Sequence, residues 1–219
     1  MATMGKTLNL KDSMQILHKY KIPIPKSEMT KTAEQAIKTA KKLGYPVVIK
    51  LVSTDITHKT DVGGVHINLV DEKELRTAYE NMLKTVRKTF PKAKINGILV
   101  QKMIPDGQEV IIGCKKDEQF GHVLMFGLGG IFTEVFSDVS FKVIPIDKND
   151  AEAMVKEIKG YTILQGYRGK KYDVDSLIKI LLKVSHLVEK NHKIKEMDIN
   201  PVILLNKGAI AVDSRIVLE

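Results

Sequence analysis

The chain has 219 residues, 43% of them hydrophobic, enough to bury a core in one domain or two small lobes. Its 35 Lys and Arg against 26 Asp and Glu leave a net charge of +9, which favours an anionic ligand or partner. The lysines form no dense tract, tryptophan is absent and only 5% of residues are aromatic, so nucleic acid is not an expected partner. A single cysteine, Cys114, excludes an intramolecular disulfide and, lying in the apolar run Val110 to Cys114, reads as a buried thiol rather than a nucleophile. No apolar run approaches the ~20 residues of a membrane span, and Met1 to Leu8 carry neither a signal nor a transit pattern. The expectation is a cytoplasmic protein with no membrane partner.

In chain order, Leu10, Met14 and Leu17 give a helical stripe over Leu10 to Lys21, ended by Ile22-Pro23-Ile24-Pro25. Thr32-Ala33-Glu34-Gln35 matches a capping box for a helix running to Gly44. Val47 to Val52 reads as a buried strand, and Val65 to Val70 alternates as a half-buried one. Asp71 caps a helix whose apolar face is Leu75, Ala78, Tyr79, Met82, Leu83 and Val86, and Ile98 to Met103 completes a β-α-β-β-α-β lobe. After the turn Pro105-Asp106-Gly107, strands are expected at Val110 to Cys114, Val123 to Phe126 and Val139 to Ile146. Helices follow at Asp150 to Lys159 and Val174 to Glu189, and the chain closes on a hairpin of Met197 to Leu205 and Ala209 to Asp213 around Asn206-Lys207-Gly208.

Between the first two strands, Thr54 to Val65 packs a histidine, His58, with two cations, two carboxylates and a glycine pair into about a dozen residues. It is either a working loop or a flexible hairpin tip. Lys50, inside an apolar strand, either snorkels from a sheet edge or meets an anion such as phosphate, because an unpaired buried ammonium is costly. Phe126-Gly127-Leu128-Gly129-Gly130-Ile131-Phe132-Thr133-Glu134 places three glycines after a strand, either a tight turn or a close approach of backbone to phosphate. Arg168 sits on a glycine-flanked loop and its forked donors suit phosphate. Folding the terminal hairpin about its turn brings Asn200 opposite Asp213, give or take one residue, and alternation puts Asp198 and Asn200 on one face. Such hard oxygen donors suit Mg²⁺ completed by nucleotide phosphates and water, unless they are only strand-end turn formers.

In order and spacing, Lys50, the loop Asp55-Ile56-Thr57-His58-Lys59-Thr60-Asp61-Val62-Gly63-Gly64-Val65, the glycine turn to Glu134, Asp138-Val139-Ser140-Phe141-Lys142, Tyr167-Arg168-Gly169 and Asp198-Ile199-Asn200-Pro201 resemble one family. These are the free-standing β subunits of ADP-forming acyl-CoA synthetases, and the resemblance runs from about Leu10 to Leu218. It implies an α+β, ATP-grasp fold in which two lobes clamp a nucleotide. Residues 1–23 would be a helix packing on the C-terminal lobe, 24–101 the lobe carrying the His58 loop, and 102–219 the C-terminal lobe. The implied reaction converts acyl-CoA, ADP and phosphate reversibly to acid, CoA and ATP, with ATP/ADP and Mg²⁺ as cofactors. A CoA-binding α subunit, in an α2β2 heterotetramer, would take the phosphoryl group first on its own histidine.

The resemblance assigns His58 to accepting or guiding that group, with Arg168 and Glu134 as further catalytic positions. Lys50 matches the lysine touching nucleotide phosphate, and Gln101, Lys102, Met103 and Ile104 match the hinge beside adenine. Glu109 falls where the family has a glutamate near the nucleotide, and Gly127, Gly129 and Gly130 form the phosphate-side turn. Asn200 and Asp213 match the magnesium positions, Asp213 alternatively steadying the phosphohistidine. Lys102 stands where relatives are often acidic and Lys142 where arginine is common. The alternatives are another ATP-grasp ligase, such as a succinyl-CoA synthetase β subunit, or a basic non-catalytic module for nucleotide or RNA. The histidine loop argues against amine ligases, which need no phosphohistidine.

Overall fold

The computed structural model describes residues 5–56, 59–130, 137–166 and 169–219. The strands are β1 (Lys6–Thr7), β2 (Ser27–Thr30), β3 (Val47–Ser53), β4 (Val65–Leu69), β5 (Ile95–Lys102), β6 (Gln108–Asp117), β7 (Gly121–Leu128), β8 (Val139–Val143), β9 (Ile194–Leu204), β10 (Ala209–Ala211) and β11 (Arg215–Leu218). The helices are α1 (Leu10–Lys19), α2 (Ala33–Leu43), α3 (Glu72–Thr89), α4 (Lys148–Glu157), α5 (Tyr161–Gly166) and α6 (Val174–Glu189). They form two compact units, one of Pro25–Ile104 with Asn9–Lys11, the other of Pro105–Glu219 with Asp12–Ile24 and the chain up to Leu8.

The first unit is a four-stranded antiparallel sheet, ordered β2-β5-β3-β4, with α2 and α3 on one face. Helix α2 starts at Thr32, whose hydroxyl accepts the Gln35 amide, but the reciprocal bond runs from the Lys31 amide to the Gln35 side chain, so the box is offset by one residue. Asp71 caps α3 through the Glu74 amide. The apolar stripe Leu75, Ala78, Tyr79, Met82 and Val86 then packs with Ala36, Ile37 and Ala40 of α2 over Val47, Ile49, Leu51, Ile98 and Val100. Burying each large aliphatic side chain stabilises this layer by about 1.5–3 kcal/mol.

Strand β4 departs from the expected alternation, since Ile67 is 65% exposed. Val47 pairs with Leu69 but Ile49 with His66, so the ladder holds a bulge, and Asn68 sits there at φ 57. The extra residue turns Ile67 out of the core that regular pairing would give it.

The second unit has a seven-stranded antiparallel sheet in the order β1-β11-β9-β6-β7-β8, with β10 also on β9. Helix α4 packs on β7 and β8, and α6 packs on α4, β9 and β10. Helix α1 buries Leu10, Met14 and Leu17, and the extended segment after it is fixed by the Ala211 amide donating to Pro23 O at 2.9 Å. Several short elements escape the periodicity reading, among them β1, β2, β11 and α5; the start of α5 is set by the buried carboxylate of Asp138 accepting the Lys159 and Gly160 amides, both at 2.7 Å. Among the described residues, no helix is long and apolar enough to cross a membrane.

Candidate functional site

In the first unit, the candidate side chains lie on the sheet face away from the helices. Lys50 pairs with Leu99 on one side and Val65 on the other, so β3 is an interior strand and the edge-strand snorkel is excluded. Its side chain is 5% exposed, beside Val48, Val52, Leu99 and Gln101. Gln101 is 2% exposed and pairs with Val48, one step diagonal to Lys50.

The hinge residues divide by role. Lys102 Nζ donates to Gly44 O at 2.7 Å and to Tyr45 O at 3.1 Å, placing its charge at the C-terminus of α2, where the helix dipole favours a cation. Its amide donates to Lys26 O, and the Met103 amide to Pro46 O at 3.3 Å. Ile104, half-buried, ends the unit.

The stems of the histidine loop are well tied. Asp55 accepts the Lys94 amide at 2.7 Å and Ile56 is buried in the helix-layer core. On the far side the Gly64 amide donates to Lys59 O at 2.6 Å, and Gly64 O accepts the Leu51 amide at 2.8 Å, next to Lys50. His58, the histidine of this loop, lies outside the described residues, as do Glu134 and Arg168.

In the second unit, the glycine turn rests on β6. Gly127 pairs with Ile111 and Val139, the Gly129 amide donates to Glu109 O at 2.9 Å, and Gly130 takes φ 65. A side chain at Gly129 would meet the Glu109 Cβ at 3.0 Å, so this glycine answers to packing against Glu109.

The terminal hairpin has the expected register. Ala209, Ile210 and Ala211 pair with Leu204, Ile203 and Val202, and the Val212 amide donates to Pro201 O at 3.1 Å, which brings Asp213 level with Asn200. Val110 pairs with Val202 but Ile112 with Ile199, so a bulge falls at Asn200-Pro201 and aims Asn200 out of the regular ladder. Asp198, two residues back, has its carboxyl pushed up by burial and, further, by the charges of Asp213 and Glu196, against the pull of its strand partner Arg215. Asn200 and Asp213 fit Mg²⁺, which takes one or two side-chain oxygens and fills the rest of its shell from phosphates and water. No cluster of three or more His, Cys, Asp or Glu poised for a metal occurs among the described residues.

Three carboxylates fix the surroundings of the site in roles that the sequence reading did not assign. Asp55 holds a loop stem, Asp138 the turn before α5, and Asp173 the hairpin turn, by accepting the Gly208 amide at 2.7 Å as well as the Ser176 amide and hydroxyl. Only Asp173 carried a local signal, as the cap of α6. Lys142 pairs with Glu157 at 3.5 Å. Cys114 is buried and its thiol is pushed up to about 12 by that burial, so it has no nucleophilic role.

A family model described as ATP-grasp domain matches residues 1–218. The beta subunit of ADP-forming acetate–CoA ligase II from Pyrococcus furiosus is 45% identical over 212 residues, covering 95% of this chain and 90% of its own. Among solved structures, the acetyl-coenzyme A synthetase 1 of Ca. Korarchaeum cryptofilum, in complex with coenzyme A and Ca-AMPCP, superposes with a TM-score of 0.95 at 43% identity, covering 98% of this chain and 94% of that one. The same protein with coenzyme A and Mg-AMPPCP, its phosphohistidine segment pointing towards the nucleotide binding site, gives a TM-score of 0.85 at 40% identity, over 98% and 93% of the two chains.

Proposed function

This chain belongs to the ATP-grasp domain family, and from that premise we propose that it is the nucleotide-binding β subunit of a reversible ADP-forming acyl-CoA synthetase. The reaction is acyl-CoA, ADP and phosphate to acid, CoA and ATP. The observation that carries this reading is Lys50, an ammonium 5% exposed on an interior strand, on the same sheet face as Gln101 and joined through Gly64 to the stem of the histidine loop. An ammonium so placed suits a phosphate oxygen of the nucleotide.

In this reading His58 takes a phosphoryl group from a phosphohistidine of the CoA-binding α subunit and passes it to ADP. A neutral imidazole, with an ordinary pKa of about 6.5, is a competent nucleophile at neutral pH. Phosphoryl transfer rests mostly on positioning and charge neutralisation. Lys50, Arg168 and the amides of the Gly127 to Gly130 turn supply donors for it, with Glu109 and Glu134 as polar groups of the same site. Gln101 to Ile104 line the adenine, Lys102 through its backbone because its ammonium is engaged at α2. Asn200 and Asp213 hold Mg²⁺, which when bound neutralises charge on the phosphate oxygens.

The α subunit is a separate chain, and we assign the complex as an α2β2 heterotetramer in the cytoplasm, the latter supported by the lone buried thiol. The test is His58→Ala in the complex reconstituted with the α subunit. ADP binding is retained and transfer of phosphate to ADP is abolished; turnover near that of the native complex would sink the relay.

A further inference from the structure

We propose that the joined C-terminal ends of α1 and α6 form a docking surface for an acidic segment of a partner protein. The surface gathers Lys19, Lys21, Lys183, Lys190 and Lys193 at a distance from the Mg²⁺ positions.

These lysines come from separate stretches of chain that tertiary contacts lock together. Lys183 Nζ donates to Lys21 O at 2.6 Å, Asn191 Nδ2 donates to Tyr20 Oη at 2.8 Å, and the rings of Tyr20 and His186 meet edge-on with centroids 6.0 Å apart. Lys183, His186 and Lys190 recur at helical spacing, so they share the face of α6 that meets α1. Beyond α6, Asn191 Nδ2 also donates to Leu187 O at 2.6 Å, and the Glu219 amide donates to Lys193 O at 2.9 Å. Lys19, Lys21, Lys190 and Lys193 are exposed. An array held by the fold loses little freedom when a partner docks on it.

The charge is one-sided. Glu189 and Glu219 adjoin the surface and both are taken, Glu189 by His186 at 3.5 Å and Glu219 by Lys116 at 2.6 Å. Among the described residues, Lys19, Lys21, Lys190 and Lys193 make no ion pair. On α2 and α3, by contrast, Lys41, Glu72, Arg76 and Glu34 interleave in one network of pairs. The helix dipole favours a cation at Lys19 and at Lys190, but Lys21 and Lys193 lie beyond both helices. Lys21 also takes φ 59, a left-handed conformation that glycine adopts without strain. A lysine kept where glycine would be easier points to a use for its charge.

The chemistry of the occupant follows from the side chains present. Among the described residues, no exposed large hydrophobic side chain lies on this surface, so it offers no wedge for a bilayer. Tyr20 is half-buried with its hydroxyl engaged, which makes it a poor platform for stacking bases. Fixed cations without insertion or stacking suit the carboxylates of a protein segment, in a fast and salt-sensitive contact. Strand β9 opens at Ile194, next to Lys193, and Asn200 lies about 20 Å along it at ~3.3 Å per residue. A partner seated here leaves the Mg²⁺ positions open.

The test titrates the full chain with a short polyglutamate peptide, an oligouridylate of the same length and phosphatidylserine vesicles. The peptide binds tightest, and raising salt from about 50 to about 200 mM weakens it at least about fivefold. Lys21→Gln, Lys190→Gln and Lys193→Gln together weaken it at least about tenfold, while Lys38→Gln, Lys84→Gln and Lys88→Gln, exposed positions on α2 and α3, weaken it less than about twofold. Lys21→Gly alone weakens the peptide at least about twofold yet melts no lower than the native chain, because glycine takes a positive φ freely. Equal losses from the two triple variants, or unaltered affinity in Lys21→Gly, overturn the surface. Tighter binding of the RNA or the vesicles overturns the acidic-protein occupant, and absence of peptide binding overturns both.

Discussion

Gly129 lies against Glu109: its amide donates to the Glu109 carbonyl at 2.9 Å, and a Cβ on it would come within 3.0 Å of the Glu109 Cβ and 3.2 Å of the Glu109 carbonyl carbon and oxygen. The glycine turn and the start of β6 are thereby one rigid piece. Gly129→Ala must push backbone apart, at a cost of about 1–3 kcal/mol. We expect a lower melting temperature together with a raised KM for ADP. A variant with unchanged KM would detach this turn from the nucleotide.

Lys50→Met keeps the length of the side chain and removes its charge on an interior, buried strand. Affinity for Mg·ADP falls at least tenfold, about 1.4 kcal/mol, in titration calorimetry. Native-like affinity would take Lys50 out of the phosphate site.

Two carboxylates should show opposite pH signatures. Asp173 is held below the usual carboxylate range, chiefly by the Gly208 amide and also by Ser176, so its contribution is present above the unfolded pKa of about 3.9 and is lost as pH falls through the folded value. Asp198 is raised by burial, so ionising it destabilises the fold as pH climbs from about 3.9 through its folded pKa. Asp173→Asn therefore lowers stability at pH 7 and Asp198→Asn raises it, and both differences shrink in strong acid. Denaturant unfolding at several pH values checks the two signs, and like signs would refute this assignment.

Cys114 should resist thiol reagents in the native protein at pH 8, because burial pushes its thiol up to about 12. It should react fully once the chain is unfolded. Cys114→Ser buries a hydroxyl among apolar neighbours and is expected to cost about 1–3 kcal/mol. Rapid labelling of the folded protein would show that β6 opens far more readily than its place between β7 and β9 implies.

The sequence alone determined those features whose cause is local. The stripe of α6 gave its bounds, Val174–Glu189, and Asp71 marked the start of α3, because periodicity and caps are read within a few residues. The turn at Asn206 to Gly208 set the register that brings Asp213 level with Asn200, since a hairpin pairs outward from its turn. The order of motifs was enough to identify the family by resemblance.

Tertiary structure decided what depends on distant partners. That β3 is interior, which changes Lys50 from a surface lysine to a buried cation, follows from pairing with β4 and with β5, a strand from beyond α3. Helix α5 begins where Asp138, 22 residues before Gly160, supplies its carboxylate, and no nearby residue announces it. Ile67 is exposed because a bulge shifts its strand against β3, and Lys102 reaches the carbonyl of Gly44, the C-cap of α2, 58 residues earlier. An apolar pattern states that a face is covered, and only the folded sheet states by what: the covering groups arrive through non-local pairing, which a linear pattern does not record.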